Sequence, residues 1–369
     1  MKLLFAGGGT AGHINPAVAI ANYFCEHEEN CSATFVGTAA GLEVSLVPNS
    51  GYHLDLIKVH GLERSLSLKN IRNICELPFA IGSAKKLIKK YKPDAVIGTG
   101  GYVCAPVLYA AAKMGIPTLI HESNAFPGVT TRLLTKYVDI TALGVEEAEK
   151  FLANPKKVMV TGTPLRESLM SMPKAEARAK LNLDSRPFLV IFGGSLGARD
   201  FNKTVANWIC DVAKTGKYQI MMGTGKNNQY DDVMSLFKER GIDPEKIEGI
   251  TVSEYIYNMD VVMSAADLVI SRAGASTLCE LTALGKPSIL VPSPYVTGNH
   301  QEHNARAVEK GGGAKVILDK DFTPDMLNET VTDIVSSSAQ ISKMAESARK
   351  LGKPDAIKTL YKEIKGIMK

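Results

Sequence analysis

Two glycine-rich stretches have the spacing best suited to chemistry in this chain. They are Gly7-Gly8-Gly9-Thr10-Ala11-Gly12-His13 and Gly193-Gly194-Ser195-Leu196-Gly197-Ala198-Arg199. Each follows an apolar run, Leu3-Leu4-Phe5-Ala6 and Phe188-Leu189-Val190-Ile191-Phe192, and each leads into a helical pattern. A glycine-rich turn entering a helix is an anion site, because unpaired N–H groups point outward and the helix dipole adds partial positive charge. The alternative is a tight turn whose glycines only let backbones pack closely, and for one loop alone both readings stand. Two such loops favour a substrate that carries phosphate.

The kind of phosphate ligand can be narrowed. Gly7 to Gly12 fits G-x-G-x-x-G, but a dinucleotide site also wants an acid at the end of the second strand, and Val36-Gly37-Thr38 supplies none. A Walker A loop is missing too, since Gly225-Lys226 is followed by Asn227. His13 closes the first loop at a helix N-terminus, where an imidazolium is disfavoured and a neutral ring can accept a proton. It is either a general base or a residue that shapes the turn. Thr277 and Glu280 have capping-box spacing, so Glu280 either caps a helix or accepts hydrogen bonds from a ribose diol. Asn299 and Glu302 repeat that spacing ahead of a helix on which Gln301 and Asn304 share a side, and amides suit hydroxyl-rich ligands. His300 and His303 lack an evident third ligand, which favours solvated or cleft-lining histidines over zinc.

The elements that must position these residues alternate regularly. Strands are expected at Ala33–Val36, Ala95–Ile97 and Thr118–Glu122, and the first helix is expected to be capped by Asn15 ahead of Pro16. Thr161 to Pro187 reads as a linker, after which strand, glycine turn and helix restart, with later strands at Gln219–Met221, Leu268–Ile270 and Ser288–Val291. Alternation of this kind implies parallel sheets wound on both faces. Two such domains would place their ligands at the carboxyl ends of the strands, in a cleft between them.

At 369 residues, 45% hydrophobic and 22% charged, the chain can bury two cores. A net charge of +5 is too mild to argue for nucleic acid. The six cysteines form no C-x-x-C pair and are expected to be reduced, mostly buried thiols. No secretory signal is apparent, and no apolar stretch reaches the roughly 18 residues of a spanning helix. Between Lys58 and Lys92, nine Lys and Arg stand against Glu63 and Glu76. Ile71, Ile74, Leu77, Phe79 and Ile81 lie there among Arg72, Lys85, Lys86, Lys89 and Lys90. An apolar surface rimmed by cations suits an anionic membrane edge, and a core-facing helix with a solvated lysine face is the other reading.

Seven motifs in order resemble the MurG family of glycosyltransferases, glycosyltransferase family 28. They are Gly7 to Pro16, Gly98-Thr99-Gly100-Gly101-Tyr102, His121-Glu122-Ser123-Asn124, Gly162-Thr163-Pro164-Leu165-Arg166, Gly193 to Gly197, Ser271-Arg272-Ala273-Gly274-Ala275 and His300 to Ala305. The resemblance implies a GT-B fold, with two Rossmann-like doubly wound domains facing across a cleft. It divides the chain into 1–163 on the acceptor and membrane side, 164–345 for the UDP-sugar donor, and 346–369 as a helix returning to the first domain. It implies inverting, metal-independent transfer of N-acetylglucosamine from UDP-N-acetylglucosamine to undecaprenyl-diphospho-N-acetylmuramyl-pentapeptide (lipid I), giving lipid II in cell-wall synthesis, without a cofactor. The implied partners are that donor, that lipid, an anionic inner-membrane surface and other cell-wall synthesis proteins. The implied location is peripheral, on the cytoplasmic face of the membrane.

The family's positions fall on His13 as catalytic base, and for the substrate on Thr10, Ala11, Gly12, Asn124, Arg166, Ser195, Ile256, Ala275, Ser276, Thr277, Leu278, Cys279, Glu280 and Gln301. Ala11 stands where many members carry glycine, and its methyl narrows the freedom of the turn. Rival readings are a sugar transferase acting on diacylglycerol, a UDP-N-acetylglucosamine epimerase of the same architecture, an NAD-dependent oxidoreductase and a non-catalytic sugar-nucleotide-binding scaffold.

Overall fold

Short runs of branched and aromatic residues without polar interruption must be covered on both faces, and parallel sheets flanked by helices do this. The computed structural model describes residues 1–61, 68–165, 169, 172–194, 196–225 and 228–368, with the backbone alone for 68–72, 74, 75 and 297. The chain divides into two units, residues 1–165 with 353–369, and residues 166–352.

Unit 1 holds seven strands: β1 (Lys2–Ala6), β2 (Ser32–Gly37), β3 (His53–Leu56), β4 (Ala95–Gly98), β5 (Thr118–Glu122), β6 (Ile140–Leu143) and β7 (Val158–Val160). All pair in parallel, in the order β3-β2-β1-β4-β5-β6-β7. The helices between them are α1 (Ala11–His27), α2 (Glu43–Asn49), α3 (Leu68–Tyr91), α4 (Cys104–Lys113) and α5 (Val129–Leu134). Alternate residues of β1 serve the two faces: Leu3 and Phe5 pack with Ile14, Ile20 and Phe24 of α1, while Leu4 and Ala6 pack with Ala84 and Ile88 of α3 and Val107 of α4.

Unit 2 has β8 (Phe188–Phe192), β9 (Gln219–Gly223), β10 (Ile250–Ser253), β11 (Leu268–Ser271), β12 (Ser288–Leu290) and β13 (Ala314–Val316), parallel in the order β10-β9-β8-β11-β12-β13. Its helices are α6 (Lys174–Lys180), α7 (Arg199–Val212), α8 (Gln229–Glu239), α9 (Met259–Ala265), α10 (Ala275–Leu284), α11 (His300–Lys310), α12 (Pro324–Val335) and α13 (Ser338–Leu351). Trp208, Phe201 and Phe237 fill one face of this sheet, while Phe188, Val190, Leu278 and Leu281 fill the other. In both sheets the first strand of the unit lies between the second and the fourth. That is the switch point at which doubly wound sheets open a crevice beyond their strand ends.

The last helix, α14 (Ala356–Ile367), lies against α1, with Leu360 and Ile364 wholly buried. Glu28 at the end of α1 accepts from Lys365 Nζ at 2.5 Å and from the Tyr361 hydroxyl.

Two local expectations are corrected. The first helix starts at Ala11, so Asn15 and Pro16 lie inside it. Its first turn closes when the His13 and Ile14 amides donate to the Thr10 carbonyl at 3.1 and 3.3 Å, which requires nothing of Pro16. Of the described cysteines only Cys104 and Cys210 are buried; Cys25 is exposed, and its sulfur lies 3.1 Å from that of Cys31. Among the described residues no helix is long and apolar enough to cross a membrane.

Candidate active site

The first glycine loop is held from beneath by a carboxylate. Glu43, the first residue of α2, is wholly buried. Its Oε2 accepts the Gly9 N–H at 2.8 Å, and its Oε1 accepts the Thr38 N–H at 2.9 Å and the Thr38 hydroxyl at 2.8 Å. Burial alone would raise the Glu43 pKa, but these donors outweigh it and hold the carboxyl below its ordinary value. An acid therefore does follow the second strand. It is buried under the loop and committed to it, so it does not face a ribose. The Gly8 N–H is also engaged, by the Gly100 carbonyl at 3.3 Å. The loop's open donors are the Ala11 and Gly12 amides in the first turn of α1, which have no partner among the described residues. Ala11 is an ordinary helical residue there, so its methyl costs the turn no backbone strain.

His13 is fixed in one tautomer. Its Nδ1 lies 2.9 Å from the Gly8 carbonyl, which can only accept, so Nδ1 carries the proton in the neutral ring and Nε2 carries the lone pair. The other edge of the ring rests on Gly100, where a Cβ would sit 2.4 Å from Cδ2 and 2.8 Å from Nε2. Gly100 has φ +118°, so only glycine meets both demands. The Thr99 hydroxyl donates to the His13 carbonyl at 2.7 Å and ties the end of β4 to the same turn. The His13 imidazole is thus held by main chain on two sides.

At the end of β5, Glu122 organises the next loop. Its Oε1 accepts the Asn124 backbone N–H at 3.0 Å and the Asn124 side-chain NH₂ at 2.9 Å. Its Oε2 accepts the Gly128 N–H at 2.9 Å and the Thr131 hydroxyl at 2.8 Å. Asn124 is thereby oriented by a buried carboxylate. The neighbouring His121 is fully buried and donates from Nε2 to the Gly162 carbonyl at 2.9 Å; burial lowers its pKa, so the ring is neutral.

In unit 2 the loops after β8 and β9 pack main chain on main chain. A Cβ on Gly197 (φ +76°) would fall 2.2 Å from the Thr224 carbonyl oxygen. Asn202 and Gln229 lock this junction: Asn202 Nδ2 donates to Thr224 O and Gln229 Oε1, both at 2.7 Å, and Gln229 Nε2 donates to Leu196 O at 2.9 Å. Ser195 and Arg166 lie outside the described residues. Ile256 is buried, with its side chain packed against Gly223.

The capping-box reading of Thr277 and Glu280 is overturned. Gly274 is the N-cap, no side chain caps the helix, and Thr277 and Glu280 are its third and sixth residues. Glycine in an extended conformation suffices at this cap, and it leaves the Ala275, Ser276 and Thr277 amides without partners among the described residues. Ser276, Thr277, Cys279 and Glu280 are half-buried, whereas Leu278 points into the core. Arg272 holds this turn from behind, with NH1 bound to Asp319 Oδ1 at 2.5 Å and to the Val291 carbonyl at 3.2 Å.

On α11 the side chain of Asn299 does not cap the backbone. Asn299 is left-handed, and its Nδ2 donates instead to Glu302 Oε2 at 2.5 Å. Asn304 is buried with Nδ2 near the Ala273 carbonyl (3.4 Å), so it braces the turn and does not line a sugar site beside Gln301. The Oε1 of Gln301 accepts the Ser293 N–H at 2.9 Å, which leaves its NH₂ as the group to offer a ligand.

Glu43, Glu122 and Asp319 had not been singled out from sequence. Glu43 and Asp319 act on partners far along the chain, where no local motif marks them, whereas Glu122 sits inside the His121 to Asn124 motif and only its loop-holding contacts are new.

The N-terminal domain of glycosyltransferase family 28 matches residues 3–143, and the family's C-terminal domain matches residues 188–360. A protein of Acetivibrio thermocellus named UDP-N-acetylglucosamine–N-acetylmuramyl-(pentapeptide) pyrophosphoryl-undecaprenol N-acetylglucosamine transferase is 47% identical over 370 residues, covering 100% of this chain and 99% of its own length. One of the same name from Ruminiclostridium cellulolyticum is 47% identical over 369 residues, with 100% of both chains covered. The crystal structure of Acinetobacter baumannii MurG superposes with a TM-score of 0.78 at 27% identity, covering 99% of each chain. The UDP-GlcNAc 2-epimerase of Neisseria meningitidis, solved with UDP-GlcNAc, shares the fold with a TM-score of 0.68 at 16% identity, covering 99% of this chain and 100% of its own. With both domain profiles matched and close relatives aligned end to end, the chain belongs to glycosyltransferase family 28.

Proposed function

We propose that the chain transfers N-acetylglucosamine from UDP-N-acetylglucosamine to undecaprenyl-diphospho-N-acetylmuramyl-pentapeptide, with inversion, in peptidoglycan synthesis. The observation that carries this reading is the full-length, 47% identity to relatives that bear this activity in their names.

The acceptor sugar hydroxyl attacks the anomeric carbon from the face opposite UDP. The new carbon–oxygen bond forms as the bond to the diphosphate breaks, and the hydroxyl proton passes to His13 Nε2. Fixing Nδ1–H on Gly8 O supports that role, because it keeps the accepting nitrogen defined. The departing diphosphate needs donors that are already in place, and the amides of Ala275, Ser276 and Thr277 at the start of α10 are of that kind. Glu280 takes the ribose diol. Gln301, with Oε1 held by Ser293, and Asn124, with its amide held by Glu122, take the sugar hydroxyls. Thr10, Ala11, Gly12, Arg166, Ser195, Ile256, Leu278 and Cys279 complete the donor contacts, Leu278 by supporting the helix turn from the core.

The first domain takes the lipid acceptor at the cytoplasmic face of the membrane, as a peripheral protein. Phe79 supports this: it is 79% exposed on α3, on the side away from the buried Ala80, Ala84 and Ile88, among exposed Lys85, Lys86, Lys89 and Lys90. Ile71, Arg72 and Ile74 precede Phe79 in the same stretch of sequence, and their side chains lie outside those described.

The test is to incubate the purified chain with UDP-N-acetylglucosamine and a short-chain lipid acceptor. A disaccharide-lipid and one UDP per turnover are expected. Conversion of UDP-N-acetylglucosamine to its 2-epimer, or transfer to diacylglycerol in preference to the muramyl lipid, would overturn the reading.

A further inference from the structure

A pocket of about 240 Å³ opens in unit 2 at the amino-terminal ends of β11 and β12, away from the strand ends that carry the candidate active site. Lys174, Lys286, Arg349 and Ser264 line it, and Asp267 is the one carboxylate among its lining residues. That carboxylate is already saturated. It accepts from Lys174 Nζ at 2.5 Å, from Arg178 NH1 at 2.9 Å and from the Phe188 N–H at 2.7 Å. Lys286 is 7% exposed and donates to the Ser264 and Ala266 carbonyls at 2.6 and 3.1 Å, which close the end of α9 and leave its third N–H over. The Ser264 hydroxyl is buried with no partner among the described residues. Arg349 packs against Gly285 and makes no ion pair among the described residues.

Lys286, Arg349 and the Ser264 hydroxyl therefore line a cavity whose one lining carboxylate is already engaged by Lys174, Arg178 and the Phe188 N–H. Burial first, and then the charge of Lys174 and to a smaller extent that of Arg349, push the Lys286 ammonium down to about 7, because the opposing pull of Asp267 only partly offsets them. A bound oxyanion would accept the third Lys286 proton, the Ser264 hydroxyl and the Arg349 guanidinium together, and would satisfy each of these groups.

We propose that this pocket is a binding site for a small phosphate-class oxyanion, separate from the substrate site. Its wall includes Leu284 and Gly285, the carboxyl end of α10, whose amino end carries the proposed donor contacts Ala275 to Glu280. Occupancy is therefore expected to change the KM for UDP-N-acetylglucosamine, and that clause alone rests on the proposed function.

The test is calorimetry on the full chain with saturating UDP, so that sites taking a diphosphate are filled, at constant ionic strength. Inorganic phosphate and a hexose monophosphate are titrated separately, against the wild type, Arg349→Ala and Lys286→Met. One phosphate per chain is expected to bind the wild type, about tenfold more weakly after either substitution. Tighter binding of the ester assigns the pocket to a small phosphate ester, and binding of inorganic phosphate alone assigns it to the free ion. Arg349 is exposed, so its variant keeps the test valid if Lys286→Met fails to fold. No binding to the wild type, or binding that neither substitution weakens, would overturn the proposal.

Discussion

The turn into α1 and the turn into α10 start from the same recipe, a buried parallel strand followed by small residues and a helix, yet they are wired in opposite ways. In the first, the Gly8 and Gly9 amides are engaged, one by a neighbouring carbonyl and one by the buried Glu43, and the product is a rigid mount for an imidazole. In the second, no side chain among the described residues caps the helix, and three successive amides have no partner there. A turn of this kind can thus commit its first donors to holding a side chain still, as the α1 turn does while leaving only the Ala11 and Gly12 amides open, or keep its donors for a ligand. Which it does depends on whether a carboxylate is buried behind it.

Removing the imidazole that the first turn holds should have the largest effect. His13→Ala is expected to lower kcat by about 10² to 10⁴, the usual value of a general base, with little change in the KM for the donor. Steady-state kinetics with both substrates checks this, and near-wild-type turnover would reduce His13 to a loop-shaping residue. Glu43→Gln comes next. The amide can accept one set of donors but presents N–H to the other, so about 1–3 kcal/mol of stability should go, and turnover with it, as the His13 mount loosens. Denaturant unfolding alongside the assay separates the two effects.

The same carboxylate predicts a pH dependence. Its folded pKa lies below the ordinary value of 4.5, so its contribution is complete above that value and disappears as pH falls through the lower, folded pKa. The acid limb of the stability curve below about pH 4.5 should accordingly be shallower in Glu43→Gln than in the wild type. Superimposable acid limbs would show that the carboxylate's charge does not hold the loop.

The contrast between the turns also shows what a sequence exposes and what it conceals. The strands were readable because β1, β8 and β11 are uninterrupted apolar runs, and the glycine loops because they follow such runs directly. The helix starts were not. Thr10 and Gly274 begin their helices without a side-chain hydrogen bond, so the eye goes to better caps nearby, Asn15 in one case and Thr277 with Glu280 in the other. The two carboxylates that brace these turns, buried Glu43 and half-buried Asp319, were hidden for a different reason. Glu43 reaches Gly9 across 34 residues, and Asp319 reaches Arg272 across 47, and no spacing rule joins positions that only the folded sheet brings together.

For the open turn, Glu280→Gln is the sharper probe, because it keeps shape and removes charge. If the carboxylate holds the ribose diol, the KM for UDP-N-acetylglucosamine should rise by roughly tenfold, about 1.4 kcal/mol, while kcat changes less. A fall in kcat at unchanged KM would move Glu280 from ribose binding to the chemical step, and the two turns would then differ less than their wiring suggests.

The smallest effect concerns the surface of unit 1 and not its loops. Phe79 is mostly exposed, so Phe79→Ser should leave stability within about 0.5 kcal/mol of the wild type. It should still reduce co-sedimentation with anionic vesicles several-fold, because the ring supplies apolar area that the lysines cannot. Lys86→Glu, on the same side of α3, should weaken anionic binding further and make it less sensitive to salt, as expected for a charge worth about 1 kcal/mol at such a surface. If both variants sediment like the wild type while retaining turnover on a short-chain acceptor, this face of α3 is a solvated helix surface. The lipid would then have to be delivered to His13 without help from the membrane edge proposed here.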